Sequence, residues 1–318
     1  MKKICGVDVS KQGLDARIVE DGVAGPALTA ARTPEGIAEL AAWCKVQGVE
    51  LAVMEATGGY ERLVFALLWQ AGVPCAIANP RQVRRLAEAL GLMEKTDRID
   101  AFVIGRFGEV RRLRPQAPAS ATQAKLAALV GRLRQLTRAK VAETNARRLV
   151  DDADVLASSE VVLATLEGQI TAIAAKITQL VQADPLWSQL DLAFRQIKGV
   201  SDRTIACILA EVPEIGLMDG KQSAKLAGLA PLARDSGQHH GRRSVRGGRA
   251  SVRSILYVVA SVVARYEPDF IDFKDRLRAA GKPPKLIRIA MARKLLVRLN
   301  AKARDARRAF DPQIPVAA

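Results

Sequence analysis

A chain of 318 residues with 49 Lys and Arg against 33 Asp and Glu is long enough for two ordinary domains, and its net charge of +16 favours a polyanionic partner. The four cysteines (Cys5, Cys44, Cys75, Cys207) form no C-x-x-C pair and the two histidines are adjacent, so a zinc site is not expected. Such scattered thiols read as small buried hydrophobes in a reducing compartment, which places the protein in the cytoplasm. Asp8 interrupts the N-terminal apolar run before a signal sequence forms, and no later run approaches membrane-spanning length, so secretion and membrane insertion are not expected.

The charge is unevenly placed. Residues 1–110 hold 13 basic and 14 acidic side chains, and residues 111–318 hold 36 and 19. A nucleic-acid partner is therefore expected downstream, with a merely solvated basic surface as the competing explanation.

In chain order, residues 2–9, 14–19, 50–57 and 74–78 are short β-rich runs, and 34–47 and 60–71 have helical patterns. Strands first and strand–helix alternation afterwards predict an α/β domain over 1–115, ending near Pro115 and Pro118. Two long helical patterns follow over 116–185. Leu126, Leu129, Leu133 and Leu136, then Leu163, Leu166, Ile170, Ile173, Ile177 and Leu180, step by three and four as in a coiled-coil seam. Asp151, Asp152 and Asp154 lie between the runs. An antiparallel hairpin is the economical arrangement, with association between chains, or two plain core helices, as the alternatives. In 186–318, Lys198-Gly199-Val200 separates two helical patterns, as in a helix-hairpin-helix that offers backbone N–H groups to a phosphate; a plain αα-hairpin explains the same residues.

Two constellations have chemical potential. Asp8 lies in the first predicted strand, Glu55 ends a later one, and Asp97 and Asp100 are spaced to share a helix face. Converging carboxylates can hold Mg²⁺ through oxygen ligands, and a two-ion site supports phosphoryl transfer. Singly, each acid is as well explained as a turn, cap or surface residue, but a carboxylate within ICGVDVSK is costly to bury without a partner. The second constellation, RDSGQHHGRRSVRGGRASVR, holds Arg234, Arg242, Arg243, Arg246, Arg249 and Arg253 around Ser236, with four glycines that let backbone approach a ligand. Ser236 beside guanidiniums can attack phosphorus once something removes its proton; His239, His240, an arginine and a metal-bound hydroxide are open alternatives for that role. A Ser-Gly pair by itself is more often a turn.

GVDVSK, MEATGGYE, NPRQVRRLAEALG followed by KTDRIDA, and PLARDSGQHHGRRSVRGGRASVRSILY occur in this order over nearly the whole chain. The series resembles the DEDD insertion-sequence transposases, a family that includes relatives of the Piv-type DNA invertases and members programmed by a structured bridge RNA. The resemblance implies an α/β RNase H-like domain related to the Holliday-junction resolvase RuvC, a coiled-coil spacer and a mainly α-helical transposase domain. It places the acidic tetrad on Asp8, Glu55, Asp97 and Asp100, with Mg²⁺ as cofactor, and the recombinase serine on Ser236. It further implies a homo-oligomer, dimer or tetramer, in which different protomers build a composite site, with DNA (element ends and target) and a structured noncoding guide RNA as partners. Lys198, Arg234, Arg242, Arg243, Arg246, Arg249 and Arg253 are then the candidate nucleic-acid contacts. A hydrolytic RNase H-like nuclease or junction resolvase is the first alternative. A basic scaffold without catalysis is the second, and four placed acids argue against it.

Overall fold

Strand β1 (Ile4–Val9) alternates its side chains between two apolar layers, and this alternation organises the N-terminal part of the chain. The structure is a computed structural model that describes residues 2–92, 94, 97–233, 235–237, 239–241 and 243–313; the side chains of Asp97, Arg98, His239 and His240 lie outside the description. The chain divides into two compact units, Met1–Ala119 and Ser120–Ala318.

In the first unit β1 is followed by β2 (Gly13–Glu20), β3 (Val23–Ala31), α1 (Pro34–Val46), β4 (Leu51–Glu55), α2 (Glu61–Gln70), β5 (Cys75–Ala78), α3 (Pro80–Ala89) and α4 (Asp97–Val110). The strands form one sheet in the order β3-β2-β1-β4-β5. β2 is antiparallel to both its neighbours, β1 and β3, whereas β4 and β5 run parallel to β1. This is the RNase H-like arrangement that the resemblance implies. β3 has no counterpart among the predicted strands, because VAGPALTAA is poor in β-branched residues and contains Pro26. As an edge strand it tolerates the proline.

Cys5, Val7, Ala52, Met54 and Cys75 face α1 and α2, packing on Leu40, Cys44, Val64 and Leu68. Ile4, Leu51, Val53 and Ala76 face the other way, onto Val83 of α3 and Val103, Ile104 and Phe107 of α4. All four cysteines are free and buried, as expected of small hydrophobes, and burial pushes the Cys75 thiol up to about 12. Helix α4 meets β1 at backbone distance: a Cβ on Gly6 would lie 2.0 Å from the Ala101 carbonyl oxygen and 2.3 Å from the Gly105 nitrogen. Its far half is tied to the β2–β3 turn, where Glu109 accepts from the Gly22 N–H.

The second unit comprises α5 (Ala121–Arg147), α6 (Ala153–Ala183), α7 (Pro185–Arg195), α8 (Asp202–Glu211), α9 (Gly220–Leu226), four two-residue strands, α10 (Ala250–Val263), α11 (Pro268–Ala279) and α12 (Pro284–Phe310). Helices α5 and α6 pair within the chain as an antiparallel hairpin. Lys140 bridges to Glu167 and Arg147 to Glu160, so contacts step forward on one helix and backward on the other. Leu126, Leu133 and Leu136 of the seam are buried, and Leu129, Ile170, Ile173 and Leu180 are half-buried. The near end of the hairpin shares one core with Trp187, Phe194, Ile208, Leu256 and Leu295, so the hairpin is continuous with the helices that follow it. Contrary to expectation, α6 is long and apolar enough in composition to cross a membrane. Its apolar stripe packs along α5, and Glu160 and Glu167 are paired with basic residues of that helix.

Between α9 and α10 the short strands form a two-tier ribbon. β6 (Pro231–Leu232) pairs with β9 (Ser244–Val245) at its base, and β7 (Asp235–Ser236) pairs with β8 (His239–His240) at its tip. A Cβ on Gly248 would lie 2.2 Å from the Gly228 nitrogen, so backbone packs directly on backbone at the base.

Candidate functional site

The sheet register brings the first two acids together. Val7 pairs with Met54 in the parallel β1–β4 ladder, so the next step puts Asp8 beside Glu55. Both lie on the face that carries Ile4, Leu51 and Val53 towards α4. Each is half-buried.

The helix supplies the other two positions. Gly105 approaches Gly6 and Val19, and Gly108 approaches Ile4 and Val53, so α4 runs antiparallel to β1. Its first turn therefore lies towards the end of β1 that bears Asp8. From the Gly6 crossing, Asp8 is about 6.6 Å further along the strand. Asp100 and Asp97 are about 4.5 and 9 Å back along the helix axis from the midpoint between Ala101 and Gly105. Asp8 is thus level with the stretch between them. Asp100 is half-buried, and the side chain of Asp97 lies outside the described residues. Among the described residues, no three Asp, Glu, His or Cys side chains are gathered closely enough to hold a metal ion.

The turn after Glu55 is fixed by a residue that sequence reasoning passed over. Glu61 accepts from the backbone N–H of Thr57 at 3.1 Å and of Gly59 at 2.8 Å, and from the Thr57 hydroxyl at 3.3 Å. Gly58 and Gly59 have φ of 75° and 115°, so the turn itself calls for glycine. An acid four residues after the threonine of a Thr-Gly-Gly turn is the available signal.

In the second unit Ser236 is exposed on the ribbon tip, directly opposite His239 in backbone register. Arg243, also exposed, reaches the Asp235 carboxylate at 3.3 Å, and Arg246 is exposed. Arg234 and Arg242 lie outside the described residues, as do the His239 and His240 side chains.

Two of the candidate nucleic-acid contacts have guanidinium groups engaged within the protein. Arg249 donates to both oxygens of Glu214 at 2.7 Å and to the Glu211 carbonyl at 2.7 Å. Arg253 donates to the Gly247 and Ala227 carbonyls. Together they fasten the ribbon base to the helices, where a guanidinium matches several fixed acceptors at once. At the Lys198-Gly199-Val200 turn, the Lys198 N–H is taken by Glu267 at 2.9 Å and that of Val200 by the Ile197 carbonyl. A carboxylate stands where a phosphate would have to bind, and Gly199 packs on Val262 and Val263 of α10. The turn is thus a packed αα connection, though the Lys198 side chain is exposed.

Two comparisons of sequence meet on this architecture. A transposase family model of the DEDD IS110 type matches residues 5–150, and one described as the transposase IS116/IS110/IS902 family matches residues 192–275. This chain belongs to the IS110-type DEDD transposase family. It is 28% identical over 324 aligned residues to the pilin gene-inverting proteins of Moraxella lacunata and Moraxella bovis, covering 98% of this chain and 99% of each relative. It is 30% identical over 194 residues to the insertion element IS110 43.6 kDa protein of Streptomyces coelicolor, covering 55% of this chain and 47% of that protein. Among solved structures, Thermus thermophilus RuvC in complex with a Holliday junction substrate aligns with 36% of this chain and all of its own at 16% identity and a TM-score of 0.29.

This transposase is a DNA recombination enzyme, and the DEDD pattern of its family goes with divalent-metal dependence in general. The ribbon arginines of the transposase separate by experiment. Burial pushes the Glu214 carboxyl up, but the hydrogen bonds and charge of Arg249 pull it further down, leaving it below its ordinary range. A depressed carboxyl stabilises the fold above the unfolded-state pKa, and the contribution is lost as pH falls through the depressed value. Arg249→Ala is therefore expected to lower the melting temperature of the helical unit by roughly 3–6 °C at pH 7. The deficit should shrink in acid, and the salt dependence of DNA binding should stay unchanged. Arg243→Ala should do the reverse, leaving melting unchanged and lowering the log–log salt slope by about one. An unchanged slope would remove Arg243 from the contact surface.

Proposed function

We infer that this transposase cuts and rejoins DNA strands with Ser236 as nucleophile, assisted by Mg²⁺ held on Asp8, Glu55, Asp97 and Asp100. The observation that carries this reading is the presentation of Ser236, an exposed hydroxyl on a ribbon whose base is anchored through Arg249 and Arg253. A nucleophile on such a support keeps its position as duplex approaches, and the same ribbon carries the exposed Arg246 and Arg243, the latter held by Asp235, towards phosphate.

Ser236 Oγ forms a bond to phosphorus while the bond from phosphorus to the departing strand oxygen breaks. The serine proton passes to a base, and the departing oxygen takes up a proton. Rejoining reverses the step, with the hydroxyl of a new strand displacing the serine, so one phosphoester replaces another and no external energy source is required. His239, opposite Ser236 in register, is the first candidate base.

Four carboxylates are a hard-oxygen donor set suited to Mg²⁺, which when bound supplies positive charge to the phosphate oxygens. The protein's own part is positional. Asp8 and Glu55 are fixed by the parallel ladder, and Asp97 and Asp100 by the close packing of α4 on Gly6. The name of the Moraxella relatives, pilin gene-inverting protein, suits an enzyme that exchanges strands better than one that only cuts. Assembly as a homo-oligomer, with the acids of one protomer and the serine of another in one site, is supported by the exposed Val141, Leu149, Val155, Val161 and Val162 of the hairpin helices and their connection. Sequence choice is assigned to a structured noncoding RNA, leaving the protein to bind shape and backbone.

The test is a denaturing gel of protein, Mg²⁺, element-end DNA and RNA transcribed from the flanking region. Wild type is expected to give a covalent protein–DNA adduct that Ser236→Ala does not form. Protein-free cleavage that persists in Ser236→Ala would replace this reading by the hydrolytic nuclease.

A further inference from the structure

Beside the two strand acids the sheet bears a basic group that neither the proposed chemistry nor the packing uses. In the antiparallel β1–β2 ladder Asp8 pairs with Asp15 and Gly6 with Arg17. Directly paired residues share a face, so Asp15 and Arg17 stand on the same face as Asp8 and Glu55. Thr29 of β3 continues the row, being paired with Asp15 in register and donating its hydroxyl to Asp15 Oδ1 at 2.8 Å. Thr29, Asp15, Asp8 and Glu55 thus form one transverse row across four strands.

A cavity of about 280 Å³ opens over the β2–β3 part of this row, lined by Asp15, Arg17, Ala27, Leu28, Thr29 and Ala101. Ala101 follows Asp100 on α4, so the cavity adjoins the proposed cutting site. Arg17 is half-buried, and its Nε is buried without a hydrogen-bond partner. A guanidinium brought this far out of water is costly unless its donors are matched. The neighbouring acid does not match it, because the recorded partner of Asp15 is Thr29 and Arg17 has no ion pair among the described residues. A small anion with several acceptor oxygens would match this donor, and phosphate is the anion that meets a guanidinium in this way.

We propose that this cavity is a phosphate subsite in which Arg17 holds a backbone phosphate of the strand being processed, next to the acidic site. The inference rests on the reading of Asp8 and Glu55 as the cutting site. It assigns Arg17 a binding role, with the Asp15–Thr29 pair as the wall that keeps the carboxylate turned to β3. A charge so placed grips the strand beside the reacting phosphate and fixes its path across the sheet.

The experiment compares full-length wild type, Arg17→Gln and Asp8→Asn. It measures affinity for element-end duplex against salt, melting with and without inorganic phosphate, and Mg²⁺-dependent strand cleavage. Arg17→Gln is expected to weaken duplex binding about tenfold, as for one charge-assisted contact, and to lower the salt slope by about one. Its melting temperature should equal or exceed that of wild type, because the variant removes an unmatched buried donor. Lower melting with unchanged affinity and slope would make Arg17 structural and overturn the proposal. Stabilisation by inorganic phosphate that Arg17→Gln abolishes, with duplex affinity unchanged, would assign the cavity to free phosphate and equally overturn a strand contact. Asp8→Asn separates the two readings: if it still cleaves, the cutting-site assignment fails. If it is inactive while Arg17→Gln binds as wild type, only the subsite fails.

Discussion

Glu55→Gln is expected to reduce Mg²⁺-dependent strand cleavage by at least about 100-fold while leaving DNA affinity within about twofold. Glutamine keeps the length of the side chain and its capacity to accept a hydrogen bond, so the half-buried end of β4 is retained. What changes is charge. Asp8 and Glu55 stand at adjacent positions of the parallel ladder on one sheet face, so both carboxylates are placed to share one cation. Removing one charge should shrink the rise in melting temperature that Mg²⁺ gives wild type, because an ion that binds only the folded state stabilises it by mass action. Calorimetry with and without Mg²⁺ reads the effect. If Glu55→Gln shows the wild-type response to Mg²⁺, Glu55 is a packing residue and the acidic site is misassigned.

The acidic positions were legible in the sequence because each lies in or beside a strongly patterned element. ICGVDV and LAVME are apolar strands in which a carboxylate stands out, and the spacing of Asp97 and Asp100 fixes their common helix face. The ribbon was legible only as composition. Six arginines and four glycines in 234–253 were read together as a surface for a ligand, yet Arg249 and Arg253 bind protein carbonyls and Glu214, and Gly248 admits the backbone of Gly228. Local sequence does not distinguish a guanidinium aimed at solvent from one aimed at a carbonyl that lies 38 residues away in the chain, as the Glu211 carbonyl does from Arg249. β3 was missed for a similar reason. Its pairing with β2 comes from the neighbouring strand, since its own residues have little strand preference. The same holds for Arg17, unremarkable in LDARIVE until register places it on the face of Asp8.

Gly6→Ala is expected to destabilise the first unit by about 3 kcal/mol, a melting shift on the order of 10 °C, and to abolish cleavage with it. The added methyl would lie 2.0 Å from the Ala101 oxygen, 2.3 Å from the Gly105 nitrogen and 2.9 Å from the Gly105 Cα. All three are backbone atoms of α4, so no side-chain rotation can relieve the contact, and the helix must withdraw from β1 as a body. Withdrawal uncovers the layer in which Val103, Ile104 and Phe107 pack on Ile4 and Val53, and it also carries Asp97 and Asp100 away from Asp8 and Glu55. The same contact therefore serves stability and function. Gly25→Ala on edge strand β3 is the matched control, because its Cβ would meet Ile18 at an ordinary 3.5 Å. It should melt within about 0.5 kcal/mol of wild type and cleave normally. The two units need not unfold in one step, so the transition of the first unit has to be followed by itself, for example by hydrogen exchange along β1 and α4. If Gly6→Ala protects those amides as wild type does, α4 does not rest on the β1 backbone, and the helical half of the acidic site would need a different support.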